Sequence, residues 1–268
     1  MKIAFIGDIV GKPGRDIIYE NLLHVRQDFG IDFVMANYEN ASHGFGLTLK
    51  NATELLSCGI DCMSGGNHTW DKKEILPLLD SMPLLRPINF PKTVPGVGYR
   101  VFDVGGEKLA TINVLGHFAM PMVANPFSIT QQKVEQLQQD GIKNIIIDFH
   151  AESTAEKRGL FLLLQSKVSA ILGTHTHIGT DDLCIENGCA YVSDVGLSGC
   201  RDGIIGMDKE APLQRMLTGL PASLEIPKNC KKIMQIIICE IEEGKCINAK
   251  KLRIYDDREM QIQEALVE

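Results

Sequence analysis

The stretch Gly66-Asn67-His68-Thr69-Trp70-Asp71 indicates what kind of fold this sequence encodes. A short, largely apolar run at residues 60–64 precedes it and predicts a buried strand that ends at two glycines. Asn67 and His68 therefore lie just past a predicted strand end, and their amide and imidazole side chains can contact metals or phosphates. Ligands of open α/β sheets bind beyond the carboxyl ends of the strands, so we expect a site at this position.

Four further predicted strands lead into side chains of the same chemical kind. These strands lie near residues 3–7, 31–37, 145–149 and 168–172. The side chains that follow them are Asp8, the pair Glu39 and Asn40, His150, and the pair His175 and His177. Any one of these residues alone is also typical of a turn or of a structural histidine. It is the repetition over five strand ends that predicts a common site. In an extended segment residues two apart face the same side, so we expect His175 and His177 to act together.

The strands alternate with helical patterns, which is typical of an α/β protein. The predicted helices cover residues 15–29, 48–57, 71–81, 129–139 and 154–166. Residues 99–104 and 108–114 predict a hairpin around Gly105-Gly106, and the last two strands fall near 232–241 and 247–254. The 268 residues fit a single domain, 1–268, with a small cap or insert within about 84–128, where prolines and glycines concentrate.

The net charge of −7 argues against a binding surface for duplex nucleic acid, which needs clustered Lys and Arg. It is compatible with a small phosphate substrate, because bound divalent metals would reverse the sign of the local field. Apolar runs are all shorter than the roughly 18 residues that span a membrane, so no membrane partner is expected. Eight cysteines without a C-x-x-C pair indicate free thiols in a reducing cytoplasm.

The strand-end residues form a mixed nitrogen and oxygen ligand set of three imidazoles, two carboxylates and two amides. Such ligands suit Fe, Mn or Zn, and the lack of a cysteine cluster argues against a structural zinc site. Seven groups exceed what one mononuclear site needs. Two metals bridged by a carboxylate, about 3.5–4 Å apart, would use them all.

These motifs resemble the five blocks of the calcineurin-like metallophosphoesterases: Gly7-Asp8, Glu39-Asn40, Gly66-Asn67-His68, His150, and Gly173-Thr174-His175-Thr176-His177. Longer strings at residues 5–15, 66–74, 86–91 and 147–157 are similar to the bacterial YmdB-like branch, and the similarity covers nearly the whole chain. The resemblance implies a β-sandwich flanked by helices, a four-layer α/β/β/α fold with a dinuclear metal centre. It also implies hydrolysis of 2′,3′-cyclic nucleotides to 3′-nucleotides by a metal-bound hydroxide, and it favours iron, with manganese second and zinc also suited.

The resemblance further implies a role for each matched residue. The first metal would be held by Asp8, Glu39, Asn40 and His177. The second would be held by Glu39, Asn67, His150 and His175, with Glu39 bridging both. His68 would be the general acid that protonates the leaving ribose oxygen. His43 and His117 are weaker candidates for contacts with the substrate.

Four positions depart from the patterns of the superfamily and its branch. Val10 stands where the superfamily has a ligating histidine, and Asn40 replaces that ligand. Tyr38 stands where the branch commonly has glycine, so it either narrows the pocket or packs away from it. Cys200-Arg201 differs from the residues expected in that late loop, which leaves substrate contacts there open.

Other functions remain open at the level of sequence. The same centre could act on a 3′,5′-cyclic nucleotide, an RNA end or a phosphomonoester. The chain could also be a regulatory protein whose slow catalysis is incidental. The oligomeric state is not fixed either, and a homo-oligomer is one of the alternatives.

Overall fold

The computed structural model describes residues 1–267, which form two β-sheets packed face to face with helices on both outer sides. The strands in chain order are β1 (Lys2–Ile6), β2 (Phe33–Asn37), β3 (Cys62–Ser64), β4 (Leu84–Leu85), β5 (Tyr99–Val104), β6 (Glu107–Leu115), β7 (Asn144–His150), β8 (Ala170–Thr174), β9 (Cys184–Glu186), β10 (Cys189–Val192), β11 (Gly199–Cys200), β12 (Lys232–Glu242), β13 (Lys245–Tyr255), β14 (Gln261–Glu264) and β15 (Leu266–Val267). The α-helices are α1 (Gly11–Phe29), α2 (Leu49–Ser57), α3 (Pro126–Gln139), α4 (Thr154–Leu164) and α5 (Glu210–Thr218), and Lys73–Leu78 is a 3₁₀ helix.

The first sheet has a parallel half and an antiparallel half. Its order is β14-β13-β12-β1-β2-β3-β4, with β11 also paired to β12. Strands β1 to β4 pair in parallel, whereas β12 pairs antiparallel with β1. All five residues of β2 are buried, as expected for a strand with apolar residues on both faces. The carboxyl ends of β1, β2 and β3 therefore meet at one edge.

The second sheet has the order β15-β9-β10-β8-β7-β6-β5. Its centre is parallel, because β6, β7, β8 and β10 pair in parallel along that order. The hairpin of β5 and β6 pairs Tyr99 with Ile112 and turns at Gly105-Gly106, which confirms the predicted hairpin. This hairpin extends the second sheet at its edge, and the small insert predicted within about 84–128 stays a prediction.

Three apolar layers hold the sandwich together and confirm the four-layer α/β/β/α fold. The layer between the sheets includes Phe5 and Met35 from one sheet and Leu172 from the other. One outer layer packs α1 and α2 onto the first sheet, and the other packs α3 and α4 onto the second. Each buried aliphatic side chain stabilises the fold by about 1.5–3 kcal/mol relative to exposure.

The helix predicted at residues 71–81 is wrong, because the chain forms only a 3₁₀ helix at Lys73–Leu78. The cause is Pro77, which has no backbone N–H and cannot donate to the preceding turn of an α-helix. Helix α1, by contrast, begins at Gly11, earlier than predicted, because Pro13 fits the first turn of a helix. Helix α2 is capped by Thr48, whose side chain accepts from Asn51 N.

Two further observations concern the environment of the chain. All eight cysteines are free thiols. Over residues 1–267, no helix combines the length and the apolar character that crossing a membrane requires.

Candidate metal centre

The strand ends of the two sheets meet at one place, where the predicted ligands come within contact distance. His150, at the end of β7, is central to this meeting. Its Nε2 lies 3.0 Å from Glu39 Oε1, which follows β2, and 3.2 Å from Asn67 Oδ1, which follows β3. The same nitrogen lies 3.0 Å from His175 Nδ1, just past β8. Glu39, His150 and His175 thus form a group that can hold a metal ion.

Neighbouring hydrogen bonds fix which nitrogen of His150 faces this group. Its Nδ1 lies 2.9 Å from Thr174 Oγ1, and that hydroxyl donates to Asp148 Oδ1 at 2.7 Å. Since the hydroxyl hydrogen is used by Asp148, Thr174 accepts from Nδ1–H, and Nε2 is the nitrogen that faces Glu39. In the same way His175 Nε2 lies 3.2 Å from Glu152 Oε2, which leaves its Nδ1 lone pair directed at the group. Such supporting contacts orient histidines that bind metals.

The charges of this group favour a cation at its centre. Burial lowers the pKa of His150, but the carboxylates of Glu39, Asp8 and Asp148 together outweigh burial and raise it to about 9. Burial raises the pKa of Glu39, but His150 outweighs it and lowers that pKa to about 2. Burial and the neighbouring His150 lower the pKa of His175 to about 3. The surrounding carboxylates therefore stabilise a positive charge at this position, and a bound metal ion would experience the same attraction.

A second group of acceptors lies next to the first and consists of Asp8, Asn40 and His177. His177 Nδ1 lies 2.8 Å from Ile205 O, so its Nε2 presents a lone pair 3.2 Å from Asn40 Oδ1. Asn40 Nδ2 donates to Gly44 O, which turns its Oδ1 towards His177. Asp8 Oδ1 is 4.0 Å from His177 Nε2 and 3.8 Å from His150 Nδ1, between the two groups.

Asp8 provides the test of whether these residues fit a metal. Its carboxylate is fully buried, and within residues 1–267 its Oδ1 has no hydrogen-bond partner. Burial raises the pKa of this carboxyl. A buried acceptor without a donor is costly, and a cation between the two groups would satisfy it. The mixed carboxylate, amide and imidazole set therefore fits metal binding.

The backbone at His175 and His177 differs from the extended segment that the sequence predicted. Strand β8 ends at Thr174, and both histidines have left-handed backbone, with φ of 99° and 66°. Such conformations cost about 1–3 kcal/mol each and cluster at functional sites. They direct the two rings into different groups, His175 towards His150 and His177 towards Asn40.

Position 66 must be glycine because neighbouring atoms lie too close to leave room for a side chain, and not because its backbone adopts a left-handed conformation. A Cβ at this position would overlap Glu39 Oε2 and the ring of His150. Glycine is therefore the residue that lets the chain pass directly over the acceptors.

His68 lies beside the acceptors without joining them. Its backbone N donates to Glu39 Oε2 at 3.2 Å, while its ring turns outward and is 30% exposed. His68 Nδ1 lies 2.8 Å from Asp71 Oδ2, and Phe45 packs edge-on against the ring. The ring is thus held with its Nε2 free.

The other sequence-predicted positions lie further from the chemistry. His43 is exposed on its loop, with a positive φ of 58°. His117 is also exposed, and its Nε2 contacts the backbone oxygens of Val123 and Ala124. A role for either histidine with the substrate stays a prediction. Tyr38 is fully buried and donates to Leu85 O, so it packs inside the first sheet's layer.

Two supporting carboxylates were not predicted from the sequence. Asp148 is fully buried, accepts from Asn37, Ser64 and Thr174, and has a pKa raised to about 6 by burial. Asp194 accepts from Thr176 N, between the two histidines. The signal for Asp148 was available, because a charged residue inside the apolar run 145–149 needs partners when buried.

Comparisons with known proteins agree with this architecture. The family model described as YmdB-like protein matches residues 4–252. A relative from Bacillus subtilis strain 168, named 2′,3′-cyclic-nucleotide 2′-phosphodiesterase, is 39% identical over 264 residues, which cover 96% of this chain and 98% of the relative.

Two solved structures extend the comparison to the fold. A phosphatase structure from Mycoplasma pneumoniae is 32% identical with a TM-score of 0.88, covering 95% of this chain and 93% of that one. A 5′-nucleotidase precursor from Thermus thermophilus is 14% identical with a TM-score of 0.59, covering 95% of this chain and 54% of that one. At that identity the second likeness shows a shared fold alone.

Proposed function

The chain belongs to the YmdB-like protein family, and from this premise we propose that it is a metal-dependent phosphodiesterase acting on 2′,3′-cyclic nucleotides. Support for the substrate class comes from the activity for which the Bacillus subtilis relative is named. Its sequence is similar to this one over nearly the whole chain. Support for metal dependence comes from the convergence of buried acceptors, above all Asp8 Oδ1.

Seven residues would hold two metal ions between the sheets. The first ion would be held by Asp8, Asn40 and His177, and the second by Asn67, His150 and His175. Glu39 would bridge them through its carboxylate. Iron is the metal we propose, and manganese and zinc suit the same ligand types. When bound, the two ions would neutralise the charge of the phosphodiester and lower the pKa of an attacking water.

His68 would carry the proton that the leaving ribose oxygen needs. Its Nδ1–H donates to the carboxylate of Asp71, which fixes the ring so that Nε2–H can point to the substrate. Proton donation of this kind contributes about 10²–10⁴-fold to a rate. Breaking the bond to the 2′ oxygen would leave a 3′-nucleotide as product.

A substrate panel with metal-loaded and metal-stripped protein tests the proposal. We expect hydrolysis of 2′,3′-cyclic AMP to 3′-AMP, with much slower turnover of 3′,5′-cyclic AMP and of a phosphomonoester, and loss of activity after chelation. Faster turnover of either competing substrate would contradict the proposed substrate. Activity that survives complete removal of metal would contradict the proposed chemistry.

A further inference from the structure

A second cluster of metal-binding side chains lies outside the centre described above. It consists of Cys200, Asp202 and Cys230, whose sulfur and carboxylate atoms all lie within 4.8 Å of one another. Cys200 Sγ donates to Asp202 Oδ1 at 3.2 Å. The proposed catalytic chemistry uses none of these residues, and Cys200 is one of the two positions in the late loop that depart from the family pattern.

The pairing of two strands explains why these residues meet. Strand β11 pairs antiparallel with β12, so that Cys200 lies opposite Lys232. The ladder continues as Arg201 N donates to Lys231 O, which places Asp202 opposite Cys230. Residues two apart on a strand face the same side, and so do directly opposed residues. Cys200, Asp202 and Cys230 therefore share one face of this short ribbon.

The surroundings suit a metal ion better than a reactive thiol. Cys200 is buried and Cys230 half-buried, and burial raises the pKa of both thiols above the ordinary value. Thiols of this kind are poor nucleophiles, yet a metal ion displaces their protons. Lys231 N donates to Asp202 Oδ1 and holds the carboxylate against the sulfur atoms. Asp202 itself is exposed, which gives an ion access from solvent.

We propose that Cys200, Asp202 and Cys230 bind a thiophilic divalent cation of the Zn²⁺ class. Two thiolates and one carboxylate supply three ligands, and water completes a tetrahedral site on the exposed side. Binding releases the two thiol protons to solvent. The cysteines are far apart in sequence, which is why the sequence showed no cysteine cluster. The ion fixes the end of the ribbon next to Ile205, the residue whose carbonyl accepts from His177.

Cobalt substitution separates this site from the proposed catalytic centre, which contains no cysteine. Full-length protein, reduced and stripped of metal, is titrated with Co²⁺ and monitored for sulfur-to-cobalt charge-transfer absorption. We expect the wild type to show this band, and Zn²⁺ to abolish it by displacing Co²⁺. Cys200→Ser and Cys230→Ser should each lose the band, whereas Cys58→Ser, which removes a half-buried thiol elsewhere, should keep it.

Two further readouts keep the test independent of folding and of catalysis. Asp202→Asn should keep the band but weaken Co²⁺ binding by at least the roughly 10–100-fold that loss of a supporting group costs, because Asp202 is itself a ligand. Zn²⁺ should raise the melting temperature of the wild type by more than that of Cys230→Ser, because only the wild type has both the catalytic centre and the cysteine site to fill. Absence of the band in folded wild type, or its persistence in both serine variants, would overturn the proposal.

Discussion

At the scale of single residues, the centre depends on neighbours with different tasks. Asn67 points its amide oxygen at His150, whereas His68, the next residue, turns its ring away towards Asp71. This difference follows from the tight turn after Gly66, where a side chain would collide with Glu39. The resemblance of the sequence had implied the same difference, with Asn67 as a ligand and His68 as the general acid.

Replacing His68 by alanine separates proton donation from metal binding. We expect turnover of 2′,3′-cyclic AMP to fall about 10²–10⁴-fold, because the leaving oxygen loses its proton donor. Metal content, measured by elemental analysis, should stay at the wild-type level. His24→Ala, an exposed histidine of α1, is the matched control and should leave both quantities unchanged. Wild-type turnover in His68→Ala would remove this residue from the mechanism.

Thr174 is not one of the proposed ligands, and its role is to orient the ring of His150. Thr174→Val deletes the hydroxyl that accepts from His150 Nδ1–H, so the ring is no longer fixed with Nε2 towards Glu39. We expect metal affinity, measured by calorimetry, to fall about 10–100-fold.

The control for Thr174→Val is Thr111→Val, a buried threonine on β6 whose hydroxyl, within residues 1–267, is hydrogen-bonded only to the thiol of Cys62. Its metal affinity should match the wild type. Equal affinity in the two variants would show that Thr174 is not needed to orient His150.

At the scale of elements, the sequence predicted most strands and helices, and its failures have local causes. Short apolar runs predicted β1, β2, β3, β7 and β8, because strands buried on both faces leave that pattern. Pro77 turned a predicted helix into a 3₁₀ helix. The left-handed backbone of His175 and His177 could not be predicted, since only contacts from other elements hold non-glycine residues there.

Helix α4 is joined to the centre by a buried ion pair. Lys157 Nζ donates to Asp194 Oδ2 at 2.9 Å, both side chains are 1% exposed, and Asp194 also holds Thr176 N. Lys157→Met leaves a buried carboxylate without its counter-charge, so we expect the free energy of unfolding in urea to fall by about 3–5 kcal/mol.

An exposed pair provides the comparison. Lys167 Nζ lies 3.2 Å from Glu135 Oε1. The two side chains are 34% and 45% exposed, respectively. Lys167→Met should cost at most about 1 kcal/mol. If both variants lost a similar free energy of unfolding, the buried pair would contribute no more to stability than the exposed one, contrary to our expectation.

At the scale of the whole molecule, two sheets must pack before a site exists. Lys251 of β13 is fully buried between them, and its Nζ donates to Thr180 O and Asp194 O. Burial lowers the pKa of Lys251 from 10.5 to about 8. Between these two values the unfolded chain binds more protons than the folded one, so stability rises with pH over that window.

The expected pH dependence is specific to this lysine. As pH rises from about 8 to 10.5, the free energy of unfolding of the wild type should increase relative to Lys251→Met. Lys250 is a partly exposed neighbour that pairs with Glu264. The free energy of unfolding of Lys250→Met should therefore change with pH in the same way as that of the wild type. Parallel pH profiles for the wild type and Lys251→Met would show that Lys251 keeps its ordinary pKa.

The sequence also showed which residues end the strands, and the resemblance implied how they divide between two metals, but not the contacts that hold each group together. That division depends on the packing of one sheet on the other, which brings Asp8 between His150 and His177. The supporting contacts of Asp148 and Glu152, and the meeting of Cys200 with Cys230, likewise depend on elements distant in sequence. The spacing of apolar residues along the sequence carries no information about such contacts.

The central claim is that the strand ends of both sheets build a dinuclear metal centre, and anomalous X-ray diffraction from metal-loaded crystals tests it most directly. We predict two anomalous peaks about 3.5–4 Å apart. One should lie against Asp8, Asn40 and His177, the other against Asn67, His150 and His175, with Glu39 between them. A single peak, or peaks away from these residues, would contradict the account.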